Sequence, residues 1–186
     1  MRTSMTNKQA NSTILPPSIR INSVKGFWVE LKEGEVDFSH SAVILASSHL
    51  QDETKFSGIS RHLVLYFDDV TASGTRSYND ELAAQIRTFV DGIIETESGE
   101  AAGIDTLLVC CDAGQSRSAA IAAAISRYLG QDEWAIWDNP RYHPNPLVYR
   151  LTCKALGIRV WKLALRYRVR RNARALQNAI RSARRK

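Results

Sequence analysis

Apolar residues fall along this chain in two rhythms. Short runs rich in β-forming residues at Val24–Val29, Ala42–Ala46 (AVILA), His62–Phe67 (HLVLYF) and Thr106–Cys110 (TLLVC) predict strands. Between Tyr78 and Glu97 the residues Leu82, Ile86, Phe89, Val90, Ile93 and Ile94 recur at spacings of three and four, which predicts an amphipathic helix. A second helix is expected over Ser118–Leu129 (SAAIAAAISRYL), where alanines favour helix and permit close burial, with Gly130 just past its end. A third begins at about Pro146, acceptable in a first turn, and reaches Leu156 before Gly157.

Strand, helix and strand in succession make a βαβ unit with parallel strands. The expected fold class is therefore α/β, a mostly parallel central sheet flanked by helices, over residues 21–157. Residues 1–20 are polar, end near Pro16-Pro17 and predict a flexible lead-in. Residues 158–186 predict a basic helical extension, with Lys162, Arg166, Arg170 and Arg174 at every fourth position and a less regular apolar stripe through Trp161, Leu165, Val169, Leu176 and Ile180.

Charge sharpens that division. The extension from Arg159 holds 11 of the 25 Lys+Arg and no Asp or Glu; the other 14 basic residues against 19 acidic ones leave residues 1–158 at −5. Such a helix is a candidate contact for an anionic partner, either nucleic acid or a membrane surface, or for the acidic body itself. The 44% hydrophobic content supports a folded core, and 186 residues suit one domain with an appendage. No apolar run reaches membrane-spanning length and no signal-peptide stretch opens the chain, so a cytoplasmic protein is expected. Three cysteines, two of them adjacent, make neither a disulfide framework nor a zinc pattern.

The candidate chemistry lies where the Thr106 strand runs into Cys111-Asp112-Ala113-Gly114-Gln115-Ser116-Arg117-Ser118 and then into the alanine-rich helix. A tight loop entering a helix turns its N–H groups inward, and the helix dipole adds positive potential, which suits a phosphate-sized anion. Gly114 permits the close turn. The same field favours ionisation of a thiol at the loop entrance, Cys111, and Arg117 can return a planar fork to two phosphate oxygens.

These residues, Cys111-x-x-Gly114-x-x-Arg117-Ser118, resemble the signature loop of the protein tyrosine phosphatases, and the following Ala119-Ala120 is similar to the dual-specificity-type branch with its compact bacterial and phage-like members. Leu63–Val70 (LVLYFDDV) resembles the segment that carries the family's general acid, and Tyr142–Arg150 (YHPNPLVYR) resembles the stretch after the catalytic helix. The resemblance implies a phosphate-monoester hydrolase without metal or organic cofactor, acting on a phosphorylated protein or another phosphate monoester through a phosphocysteine intermediate. It implies that Cys111 is the nucleophile, Arg117 the anion clamp, Asp69 or Asp68 the acid and base, and Ser118 a donor to the sulfur. Residues Asp112, Ala113, Gly114, Gln115, Ser116 and Arg117 would hold the phosphate. One departure stands out: Cys110 replaces the histidine the family carries before its nucleophile, and the vicinal thiols invite oxidation. The alternative is a weak or inactive phosphate-binding relative that uses its basic tail for an anionic partner.

Overall fold

A computed structural model describes residues 16–34, 38–56, 58–59, 61–94 and 103–184. Four parallel strands, β1 (Ser18–Ser23), β2 (Ser41–Ser47), β3 (Arg61–Tyr66) and β4 (Thr106–Cys111), lie in the order β1-β4-β2-β3. Helices α1 (Val24–Glu33), α2 (Asp80–Ile94), α3 (Arg117–Tyr128), α4 (Trp134–Trp137), α5 (Pro146–Ala155) and α6 (Lys162–Ala183) surround them, and a single 3-10 turn covers Glu53–Phe56. The α/β expectation is met.

The central strand β2 is buried at every position, as a parallel strand covered on both faces requires. Alternation along β2 and β4 then sorts side chains between two cores. Ala42, Ile44, Ala46, Leu107, Val109 and Cys111 face α2, α3 and α5, whereas Val43, Leu45, Leu108 and Cys110 face Phe27 of α1, Phe38 and Phe56. Helix α3 is buried from Arg117 to Ser126, since its small side chains let it lie close beneath the strands. Tyr78 Oη and Thr152 Oγ1, 2.8 Å apart, tie the start of α2 to α5.

The run Val24–Val29, expected as a strand, is instead the first half of α1, and the edge strand is Ser18–Ser23. A short apolar run is ambiguous between the two structures, and local capping resolves it. Ser23 Oγ accepts from the Gly26 N–H at 3.0 Å, and Gly34 closes the helix at φ +69°. Val24, Phe27, Trp28 and Leu31 consequently share one face against the second core. Strand β1 thus begins within the segment expected to be lead-in; residues 1–15 of that segment, and 95–97 at the end of the expected long helix, lie outside the described residues.

Helix α6 docks through polar side chains. Arg168 donates to Glu133 at 2.5 Å, both nearly buried, and lies over the Trp134 ring. Arg171 makes a two-pronged pair with Asp138. Asn172 donates to the carbonyls of Trp137 and Tyr142 at 2.9 and 2.8 Å. Among the described residues, no helix is long and apolar enough to cross a membrane.

Candidate active site

Strands β1, β2 and β4 end at one level, with Ser23 and Ala46 both in register with Cys111. The carboxyl edge of a parallel sheet is where open α/β folds place ligands. Here residues 112–116 make the turn from β4 into α3. The Gly114 N–H closes on the Cys111 carbonyl at 3.1 Å, and Gly114 itself lies at φ +69°. A β-carbon there would come within 2.6 Å of Ser23 N and 2.7 Å of the Asn22 carbonyl carbon, both backbone atoms, so only glycine fits between the loop and β1.

Cys111 ends β4 with Sγ 3.1 Å from Ser118 Oγ, in the first turn of α3. Ser116 precedes that helix without a side-chain cap, leaving the first-turn N–H groups uncovered by its hydroxyl. Arg117 folds back beneath the loop, only 4% exposed. Its Nη1 donates to Ser48 Oγ at 2.9 Å and to the Phe67 carbonyl at 2.8 Å, and its Nη2 donates to Asp112 Oδ2 at 2.6 Å. Its Nε, buried, has no hydrogen-bond partner and lies 4.0 Å from Asp69 Oδ2. The guanidinium is thus fixed along one edge and has donor capacity left on the other.

The two aspartates of the β3 exit part company. Asp68 pairs with Arg76 at 3.3 Å, whereas Asp69 Oδ1 accepts from Ser116 Oγ at 2.9 Å and from Asn145 Nδ2 at 2.7 Å. The structure therefore brings Asp69, Cys111, Arg117 and Ser118 together around the loop, with Asp68 turned to its own arginine. Asp112 feels opposing influences. Burial works to raise its carboxyl, but hydrogen bonds from Ser47, Arg117 and the Ser48 N–H outweigh burial and hold it below the usual aspartate value. Strand alternation sends Cys110 to the opposite face from Cys111, among Phe27, Val43 and Leu45; burial, with Cys111 and Glu30 nearby, pushes its thiol strongly upward.

Asn145 was not among the expected site residues. Besides holding Asp69, it accepts from the Leu147 and Val148 N–H groups and so caps α5, while its own N–H donates to the Ser116 carbonyl at 3.3 Å. Its position just before Pro146 is the readable sign, that of an N-cap. Ser47, Ser48 and Arg76, which grip Asp112, Arg117 and Asp68, carry no sequence signature of their own. Among the described residues no cluster of His, Cys, Asp or Glu could hold a metal ion.

Among solved structures, the chain is similar to the Yvh1 phosphatase domain from Chaetomium thermophilum at 19% identity and TM-score 0.48, covering 73% of this chain and 88% of that one. It is also similar to the human tyrosine phosphatase-like serine/threonine/tyrosine-interacting protein at 17% identity and TM-score 0.45, over 77% and 91% of the two chains. PTPMT1 follows at 14% identity and TM-score 0.42, over 88% and 95%. No family model and no curated protein matches the sequence. The chemistry of the site rests on its own geometry.

Proposed function

We propose that this protein is a phosphate-monoester hydrolase of the protein tyrosine and dual-specificity type, acting in the cytoplasm on a phosphorylated protein or a similar monoester. In the first step Cys111 Sγ attacks phosphorus; the S–P bond forms as the ester P–O bond breaks, and Asp69 gives its proton to the leaving oxygen. In the second, Asp69 takes a proton from water, the water oxygen attacks phosphorus, and the S–P bond breaks to release inorganic phosphate. Ser118 Oγ donates to the departing sulfur. The loop amides of residues 112–117 and the free edge of Arg117 stabilise the equatorial oxygens, where the transition-state charge develops.

The observation that carries this reading is the convergence of Cys111 Sγ, Ser118 Oγ at 3.1 Å and a buried, half-satisfied Arg117 around one tight loop. The orientation of Asp69 towards Ser116 and Asn145 supports it, rather than Asp68, as the acid. Turnover of para-nitrophenyl phosphate by the intact chain, lost in Cys111→Ser and kept in Cys110→Ser, is the expected result. Binding of vanadate without any turnover would overturn catalysis in favour of a phosphate-binding protein.

A further inference from the structure

Among the described residues, the large apolar side chains left exposed are those on or just before α6, and Val29, Leu50 and Val70. Val70 follows Asp69, and Leu50 lies two residues beyond Ser48, a partner of Arg117. Val29 belongs to an open groove of about 640 Å³ that starts at Asp112, the neighbour of the nucleophile, and runs along α1. Trp28 and Val29 contribute apolar surface to it, while the exposed Lys25, Lys32 and His49 add cationic or protonatable groups. Among the described residues the one carboxylate lining it, Asp112, is already taken up by Ser47 and Arg117.

Building on the function proposed above, we propose that this groove is a substrate subsite for an acidic phosphopeptide. An apolar residue beside the phosphorylated one would lie on Trp28 and Val29, and acidic residues farther along would meet Lys25, Lys32 and His49. The dimensions suit a peptide. Lys25 and Lys32 are seven residues apart on α1, a rise of about 10 Å, which an extended peptide covers in about three residues. Acidic side chains two to four positions from the phosphorylated residue are therefore the ones recognised. Exposed charge pairs are individually weak, so selectivity comes from several acting together and falls with added salt.

The test compares two short phosphotyrosyl peptides, each with leucine on both sides of the phosphotyrosine and either glutamates or lysines beyond. At low ionic strength the glutamate peptide is expected to have about tenfold higher kcat/KM, a preference that Lys25→Glu with Lys32→Glu abolishes or inverts, with para-nitrophenyl phosphate turnover changed less than about twofold. Unchanged peptide preference in that double variant overturns the proposal. So does faster, lysine-dependent hydrolysis of phosphoinositide vesicles or of a 5′-phosphorylated RNA than of either peptide. Fluorescence anisotropy of the labelled peptides on Cys111→Ser separates the subsite from catalysis. Tighter binding of the glutamate peptide, lost in the added double variant, supports the groove even if the intact chain turns nothing over; equal binding of both peptides overturns it.

Discussion

Two buried arginines in this molecule sit in similar surroundings and do different work. Arg117 and Arg168 are each less than a tenth exposed, each lies near an aromatic ring, each pairs with a carboxylate, and each has an Nε without a partner. Arg168 is closed in. Trp134 and Tyr149 lie 4.9 and 5.7 Å from its guanidinium, and its partner Glu133 is as buried as it is, also receiving Arg127 at 3.5 Å and the Tyr149 hydroxyl. The carboxylate beside Arg117 is by contrast about one-third exposed, and a thiol, a hydroxyl and a turn of backbone stand around the loop. A buried charge with a buried counter-charge fixes structure; one whose neighbourhood remains open can take a ligand.

Removing each arginine separates the two roles most strongly. Arg117→Lys loses the fork that reaches Ser48, Phe67 and Asp112 and is expected to lower kcat by about 10²–10³-fold, with a modest change in thermal stability. Arg168→Met leaves Glu133 without its closest cation and is expected to cost about 3–5 kcal/mol in chemical denaturation while activity per folded molecule persists. A loss of activity in the second variant without a loss of stability would erase the distinction.

A smaller effect tests how the docked helix reaches the site. Asn172 holds the Tyr142 carbonyl, the His143 N–H donates to Gln115, and Asn145 holds Asp69, so one short segment links α6 to the loop. Asn145→Ala is expected to lower turnover of esters with poor leaving groups about tenfold and of para-nitrophenyl phosphate much less, because only the former need a well-placed acid. Asn172→Ala is expected to show the same selectivity at about threefold. Equal losses on both substrates would assign these side chains to folding alone.

The smallest effect is a pH dependence. The Asp112 carboxyl is held below its usual value in the fold, so its contribution to stability is present above the unfolded value, about 3.9, and is lost as pH falls through the folded value. The stability gap between the native protein and Asp112→Asn should narrow below about pH 4, by denaturant titration at several pH values. A gap that widens on acidification would contradict that sign.

Strands β2, β3 and β4, the long helix and the tight loop from β4 into α3 were legible because each is a local pattern: β-rich runs, threefold and fourfold spacing, and a cysteine, glycine and arginine at fixed intervals. Helix α1 was not, since Val24–Val29 is as apolar as a strand and its identity lies in the Ser23 and Gly34 caps. The choice between Asp68 and Asp69 depends on Arg76 and Asn145, residues 8 and 76 positions away from their respective aspartates, and pairing at a distance leaves no trace in a local window. The basic tail shows the same limit. The basic residues at every fourth position were plain, but the anchors are Arg168, Arg171 and Asn172, which lie off that row.

Everything catalytic in this account passes through one sulfur. Acid quenching of the protein during turnover of an aryl phosphate, followed by mass spectrometry of its peptides, tests that directly. The expected result is one phosphoryl group on the peptide's Cys111 and none when Cys111→Ser is treated alike. Product formation with Cys111 unmodified throughout, or a phosphoryl group on Cys110, would contradict it.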